Sequence, residues 1–213
     1  MIVKRISKIV SVIPAVNTLI DVGCDHGKIG IEAIQTGKAQ QVYFTDISAK
    51  CLSKAQNLAE KRNMGDRCVF TCGFGMCGIV ADCACIAGLG GLETLKIIDN
   101  SQHKFDWLVL NPLRNVKELR KQLQKDYFFI YDEIFFDKKF YNIMLLKKGG
   151  ELLSKMQIKY GKTNLQYFRK DFCDYLFEER AKCVTILNKV FDEKVKQRLS
   201  EIDNLLCGRQ YVR

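Results

Sequence analysis

The chain has 213 residues, of which 47% are apolar and 10% aromatic, with 34 Lys and Arg against 24 Asp and Glu. This length and composition predict one folded domain with a small appendage and exclude a disordered chain. No run of 18 or more apolar residues is present, which excludes a membrane-spanning helix, and the charged start MIVKRISKIV is not a secretory signal. We therefore expect a cytoplasmic protein.

The net charge of +10 and the pI near 9.1 predict a polyanionic partner, because such a field attracts and steers anions. A lineage with a Lys-rich proteome would produce the same excess. Charge alone does not separate RNA from DNA or from a membrane surface.

Ten cysteines in a chain of this size without a secretory signal indicate a reducing compartment. None forms a C-x-x-C pair, although five crowd one segment: Cys68, Cys72, Cys77, Cys83 and Cys85. Only His26 and His103 could complete a metal site, so we expect buried thiols and no metal.

The first predicted element is a helix over residues 3–13. Its apolar residues, Val3, Ile6, Ile9, Val10 and Ile13, recur at helical spacing, while Lys4, Arg5 and Lys8 lie on the other side. Pro14 ends the helix. We expect it to cover the sheet, and its basic side could contact phosphates.

Residues 18–30, TLIDVGCDHGKIG, predict a strand, a glycine turn at Gly23 and a helix. Gly23 allows a ligand to approach the backbone closely. Asp25 occupies the position where a dinucleotide-binding loop has its second glycine, which favours a nucleoside ligand without a phosphate. Asp46 follows Gly23 by 23 residues, at the end of a β-rich segment, and is spaced to accept both ribose hydroxyls.

Strands are also predicted over residues 41–45, 68–72, 82–87 and 106–110, with helices between them and Ser48 as one N-cap. The fifth strand runs into Asn111-Pro112. Two further β-rich runs, joined at residues 137–139, predict an edge hairpin. This order indicates an open, doubly wound α/β sheet that ends in an antiparallel pair.

From Asn164 onward, two apolar series predict an antiparallel pair of helices joined at Phe191-Asp192, with Asp192 as N-cap. We divide the chain into a catalytic domain, residues 1–161, and this C-terminal helical tail, residues 162–213. The outer faces of the tail carry basic residues: Arg169, Lys170, Arg180, Lys182, Lys189, Lys194, Lys196 and Arg198. We expect a monomer.

In order along the chain, the motifs D-V-G-C-D-H-G, F-T-D-I-S, A-G-L-G-G and L-V-L-N-P-L-R-N precede the two-helix tail. This succession resembles the bacterial tRNA (adenine-22-N1)-methyltransferases, which join a Rossmann-like class I S-adenosylmethionine-dependent methyltransferase domain to a C-terminal coiled coil. The resemblance implies methyl transfer to N1 of adenine 22 in the tRNA D-arm. It also implies that the N-terminal helix and the tail hold the tRNA.

The resemblance implies two sets of site residues. The catalytic set is Asp25, His26, Asn111 and Pro112. The S-adenosylmethionine-binding set is Asp21, Gly23, Asp25, His26, Asp46, Ile47, Gly73, Phe74, Gly88, Leu89 and Gly90.

Two positions depart from the family pattern. Gly73-Phe74-Gly75 replaces the usual G-D-G, and a phenyl ring cannot accept the hydrogen bond from the amine of the cofactor adenine. Asn111-Pro112 replaces the usual Gln-Pro and resembles the motif of methyltransferases that act on exocyclic amines. Two alternatives therefore stay open: a methyltransferase for an exocyclic amine or a small molecule, and a catalytically degenerate RNA-binding relative.

Overall fold

The computed structural model describes residues 4–207, which form seven β-strands and nine α-helices. The strands are β1 (Val16–Val22), β2 (Ala39–Asp46), β3 (Cys68–Cys72), β4 (Cys83–Ala87), β5 (Trp107–Asn111), β6 (Tyr127–Asp137) and β7 (Lys139–Lys148). The helices are α1 (Lys4–Val12), α2 (Lys28–Gln35), α3 (Ala49–Lys61), α4 (Gly91–Asp99), α5 (Val116–Leu123), α6 (Lys155–Tyr160), α7 (Lys162–Tyr167), α8 (Lys170–Leu187) and α9 (Glu193–Leu206). Val3 and the last six residues of the predicted tail lie outside the described residues.

All seven strands form one sheet in the order β3-β2-β1-β4-β5-β7-β6. Strands β1 to β5 are parallel, and β7 runs antiparallel to both β5 and β6. The predicted Rossmann-like sheet with an antiparallel edge hairpin is confirmed. The buried parallel strands are nearly continuous apolar runs because helices cover both faces.

The two faces of the sheet carry separate apolar cores. One core packs α1, α2 and α3 through residues such as Ile9, Ile31 and Leu52. The other packs α4 and α5 through Ile97 and Leu119. The basic helix α1 therefore covers the sheet, as expected.

Side chains from the C-terminal region accept hydrogen bonds from backbone N–H groups along the outer edge of β6. The backbone N–H of Asp132 donates to Thr163 Oγ1 at 2.8 Å, and that of Ile134 donates to Asn164 Oδ1 at 3.0 Å. The N–H of Phe136 donates to Asp171 Oδ2 at 2.9 Å. An open strand edge invites pairing with another chain, so these acceptors protect the sheet.

The predicted helical tail is confirmed in outline. Helices α8 and α9 pack around buried Phe172, Leu176 and Ile202. The Asp192 carboxylate accepts hydrogen bonds from the N–H groups of Lys194 and Val195, as an N-cap does.

The prediction of one unbroken first tail helix from Asn164 was wrong. The chain leaves the helix at Phe168, where φ is 46°, and α8 begins at Lys170. The break separates α7, which supplies Thr163 and Asn164 to β6, from α8, which supplies Asp171. The division at residues 161 and 162 falls at Gly161, between α6 and α7, and stays a prediction.

Within residues 4–207, no helix is long and apolar enough to cross a bilayer. No group of three or more His, Cys, Asp or Glu side chains is arranged to hold a metal in that same span. None of the ten cysteines, all of which fall within it, forms a disulfide.

Candidate active site

The predicted site residues meet at one edge of the sheet. Gly23, Gly73 and Gly88 directly follow β1, β3 and β4, while Asp46 and Asn111 are the last residues of β2 and β5. These strands are parallel, so their carboxyl ends share an edge. The strand order reverses between β1 and β4, which is where open α/β sheets bind their ligands.

The turn after β1 is held open by backbone conformation and hydrogen bonds. Gly23 has a φ of 64°, and a Cβ built on it would meet only the Leu89 side chain, at 3.7 Å. The N–H groups of Gly23 and Cys24 donate to the carbonyl of Thr45 at 2.8 and 3.1 Å. This left-handed backbone with space above it explains the glycine.

The Asp46 carboxylate is fixed by two backbone donors. Its Oδ1 accepts from the N–H of Ser48 at 2.8 Å, and its Oδ2 accepts from the N–H of Asp25 at 3.0 Å. Each carboxylate oxygen has a second lone pair, so both retain the capacity to accept a hydroxyl proton. The residue is partly exposed and therefore accessible to a ribose.

Asp25 and His26 form a side-chain pair in the same turn. His26 Nδ1 lies 2.6 Å from Asp25 Oδ2, and Cys51 Sγ lies 3.5 Å from Asp25 Oδ1. Slight burial raises the pKa of the Asp25 carboxyl, but these two hydrogen bonds and the charge of Lys54 outweigh it, so the pKa falls below its ordinary value. Asp25 is thus an exposed carboxylate that stays ionised.

Asp25 does not cap α2. The N-cap of α2 is Gly27, which has no side-chain cap. The carboxylate of Asp21 instead accepts from the N–H of Gly30, in the first turn of α2, at 3.0 Å.

Asp21 lies beneath the loop rather than beside the crevice. It is 2% exposed, and burial raises its pKa to about 7 against the opposing hydrogen bond from Gly30, with a further increase from the nearby charge of Asp46. Its hydrogen bond from Gly30 supports the first turn of α2, and its direct contact with the cofactor stays a prediction.

Two exposed apolar side chains follow β2 and β3. Ile47 is 74% exposed and Phe74 is 55% exposed. The N–H of Gly73 donates to the carbonyl of Asp46 at 3.0 Å, which joins the two strand ends. The exposed side chains of Ile47 and Phe74 therefore offer apolar surface to a ligand ring near the Asp46 carboxylate.

The turn after β4 forms the other wall. Gly88 has a φ of 84° and open space where a Cβ would stand, and its N–H donates to the carbonyl of Asn111 at 3.0 Å. Leu89 reaches toward Gly23, and its carbonyl accepts from the N–H of Leu113. Gly90 is the N-cap of α4.

Asn111 and Pro112 are both buried at the end of β5. The Nδ2 group of Asn111 donates to the carbonyl of Asn142 at 2.8 Å. Within residues 4–207, its Oδ1 atom is buried and has no hydrogen-bond partner. A buried acceptor without a donor is costly, and a bound amine would satisfy it.

A model of the family described as "Methyltransferase domain" matches residues 2–144. This match covers more than half of the chain. The chain belongs to the methyltransferase domain family.

The relatives of this methyltransferase agree with that family. A Mycoplasma genitalium protein, named provisionally as a tRNA methyltransferase, is 30% identical over 153 residues, which are 68% of this chain and 69% of that protein. A Mycoplasma pneumoniae protein with a similar name is 29% identical over 59% of this chain. The methyltransferase spans only 60% of the length of that second relative.

Solved structures share the whole fold. The Streptococcus pneumoniae protein Sp1610, described provisionally as a tRNA (m1A22) methyltransferase, has a TM-score of 0.89 at 20% identity over 97% of this chain and 100% of its own. M. capricolum TrmK, solved with S-adenosylhomocysteine, has a TM-score of 0.81 at 23% identity over 97% of this chain and 96% of its own.

Three polar residues behind the site, Arg120, Asp132 and Asn142, have almost no distinctive pattern in the sequence. Arg120, in a helix rich in Lys and Arg, is 1% exposed and forms a two-pronged ion pair with buried Asp132 at 2.7 and 2.8 Å. Its Nη2 group also donates to Asn142 Oδ1 at 3.1 Å. Asn142 therefore links this buried pair to the amide of Asn111. One sequence feature indicates that Arg120 is buried: it follows Val116 by four residues, which places it on the buried side of α5.

Proposed function

We propose that this protein transfers a methyl group from S-adenosylmethionine to N1 of adenine 22 in tRNA. The observation that carries the proposal is the crevice between β1 and β4, where the Gly23 turn and the fixed Asp46 carboxylate meet. The names of the M. genitalium relative and of Sp1610 support the tRNA substrate and the methylated atom. Such a substrate places the activity in the cytoplasm.

The residues present fit the cofactor. Asp46 retains acceptor capacity for the two ribose hydroxyls, and Gly23 and Gly88 leave space for the amino acid part beside the backbone. Phe74 and Ile47 offer apolar surface to the adenine ring. When bound, the cofactor supplies an electrophilic methyl group on a sulfonium.

The protein mainly has to align the reacting atoms. Adenine N1 is a neutral nucleophile near pH 7, so no strong base is needed before attack, and alignment lowers the barrier. The product carries a positive charge, which the ionised Asp25 carboxylate stabilises. His26 orients that carboxylate through Nδ1.

The target base must leave its pair before it reacts, because N1 lies on the Watson–Crick edge. The protein must therefore hold the RNA through its backbone while the base enters the crevice. We propose that a single copy of the chain suffices.

Asn111 favours a second candidate, methylation of an exocyclic amine. Its buried Oδ1 can accept an N–H from such an amine and align the nitrogen with the methyl group.

Mass spectrometry of tRNA nucleosides after incubation with the protein and labelled cofactor separates the candidates. N1-methyladenosine supports the proposal, and N6-methyladenosine supports the second candidate. A third candidate, an RNA-binding relative without activity, predicts no calorimetric signal with S-adenosylmethionine.

A further inference from the structure

Six of the nine basic residues of the tail within residues 162–207 form ion pairs, four of them with carboxylates of the tail itself. Residues 162–207 contain nine Lys and Arg against eight Asp and Glu. Arg180 pairs with Asp203 at 2.7 Å, Lys182 with Glu178 at 2.6 Å, and Lys170 with Asp174. Arg169 pairs with Glu133 and Arg198 with Glu179. A paired cation must lose its partner or share it before it can bind a phosphate, so these six cations attract polyanions weakly, and only Lys189, Lys194 and Lys196 form no ion pair in this part of the tail.

A different group of cations has no such partners. Arg5, Lys8, Lys138 and Lys139 form no ion pair with any carboxylate in residues 4–207. The Arg5 guanidinium lies 5.0 Å and the Lys139 ammonium 5.1 Å from the centre of the Tyr141 ring. Lys8 instead lies 4.9 Å from the centre of the Tyr131 ring, so we call Arg5, Lys138, Lys139 and Tyr141 the tip patch. Arg5 and Lys139 therefore contact the same aromatic ring, and two neighbouring cations beside an aromatic side chain suit a phosphate or an unstacked base.

The turn and α1 are joined to each other. The N–H of Arg5, in the first turn of α1, donates to Asp137 Oδ2 at 3.0 Å. That bond uses the one carboxylate in the turn, and it brings the start of α1 to the hairpin. Lys138 adopts a φ of 64°, a conformation in which Gly or Asn is the less costly residue.

The tip patch lies at the same edge of the sheet as the crevice. Met144 of β7 faces Leu110 of β5, and β7 runs antiparallel to β5. Lys139 precedes Met144 by five residues and therefore extends about 16 Å past Leu110, beyond the carboxyl end of β5. An RNA strand on the tip patch would run alongside the crevice.

We propose that the tip patch, rather than the tail, is the main surface that binds the RNA backbone. The inference rests on the proposed function, because it assigns the residues that hold that substrate. In this arrangement α7 and α8 serve the fold by closing the β6 edge, and α8 and α9 add little to RNA affinity.

Three variants with equal loss of charge test the assignment. The patch variant is Arg5→Gln/Lys138→Gln/Lys139→Gln, and its matched control is Lys170→Gln/Arg180→Gln/Lys182→Gln, which also removes one Arg and two Lys. The third variant, Lys189→Gln/Lys194→Gln/Lys196→Gln, removes exposed tail lysines that form no ion pair within residues 4–207. The probe is a tRNA transcript with adenine at position 22, and its affinity is measured over a range of salt concentrations. Retained S-adenosylmethionine binding confirms that each variant is folded.

The patch variant should bind the transcript at least roughly tenfold more weakly than the wild type. The slope of the logarithm of its binding constant against the logarithm of salt concentration should be smaller in magnitude by about two to three. Both tail variants should stay within about twofold of the wild type. Equal affinities of wild type and patch variant, or a larger loss in either tail variant, overturn the inference alone. A wild type that binds the transcript but forms no methyladenosine overturns the proposed function instead, and one that does not bind it overturns both.

Discussion

The backbone N–H of Asp25 donates to Oδ2 of Asp46 across 3.0 Å and so ties the turn after β1 to the carboxylate at the end of β2. One side chain thereby fixes the shape of the loop after β1. Under the proposed function the same carboxylate accepts the ribose hydroxyls, which would couple cofactor binding to the geometry of this loop.

We expect Asp46→Ala to weaken S-adenosylmethionine binding by about 2–3 kcal/mol, because charge-assisted bonds to the ribose are lost and the loop is released. Asp46→Asn keeps the shape and one acceptor oxygen, so its loss should be smaller. Calorimetric titration of both variants measures the difference. Unchanged affinity of Asp46→Ala would refute the assignment.

Asp25→Ala should lower kcat by roughly a hundredfold and leave cofactor affinity and melting temperature near those of the wild type. The melting temperature should fall only slightly, because Asp25 does not cap α2 and the remaining cost is that of Ala at its left-handed φ of 49°, about 1 kcal/mol. Asp192→Ala, which removes a true cap far along the chain, is the control and should cost about 1 kcal/mol of stability without loss of turnover. Single-turnover methylation and thermal unfolding decide between them, and a destabilised but fully active Asp25→Ala enzyme would contradict the catalytic role.

Phe74→Ala should weaken cofactor binding by about 1–2 kcal/mol, because an aromatic surface for the adenine is removed. Phe74→Asp should bind more tightly than Phe74→Ala, since a carboxylate can accept the hydrogen bond from the adenine amine. Leu152→Ala, which truncates a side chain that is 92% exposed, is the matched control for loss of apolar surface. If Phe74→Ala binds like the wild type, the ring does not contact the cofactor.

Asp21→Asn should remove a pH dependence of stability. Between the ordinary pKa of 3.8 and the raised value of about 7, the unfolded chain is ionised while the folded one holds its proton, so stability falls as the pH rises. The slope is at most about 1.4 kcal/mol per pH unit, or about 4 kcal/mol over the window. The Asn oxygen still accepts from the N–H of Gly30 but does not titrate. Urea unfolding at about pH 4.5 and about pH 7.5 measures the free energy of unfolding of both proteins, and the stability of the variant relative to the wild type should be greater at the higher pH. An equal change of stability with pH in the two proteins would contradict the burial of a titrating Asp21.

Asn164→Ala should destabilise the fold by about 1–3 kcal/mol, because the N–H of Ile134 loses its acceptor inside the protein. Asp171→Ala removes the acceptor of the Phe136 N–H, but Phe136 is 47% exposed and water can replace it, so that loss should be smaller. Urea midpoints at constant slope test the order. A larger loss for Asp171→Ala would show that the edge of β6 is not sealed at Asn164.

The motifs predict residues at the ends of neighbouring parallel strands, and these residues do meet at one edge of the sheet, because strand ends and glycine turns are local features. The Ser48 and Asp192 caps likewise follow from short-range chemistry, since each cap bonds N–H groups two or three residues away. The helix break at Phe168 was missed because its cause is distant. It lets Asn164 and Asp171 reach N–H groups of β6, and apolar periodicity carries no trace of that demand.

The sequence by itself determined the order of strands and helices, the Gly23 turn and the placement of Asp46, because apolar periodicity and glycine conformation act within a few residues. Only the tertiary structure decided that Asp21 is buried, that Asn142 holds Asn111, and that most tail cations are paired while those of the tip patch are not. Burial and ion pairing depend on which groups meet across the fold. A count of charges along the chain cannot show which of them remain available to a partner.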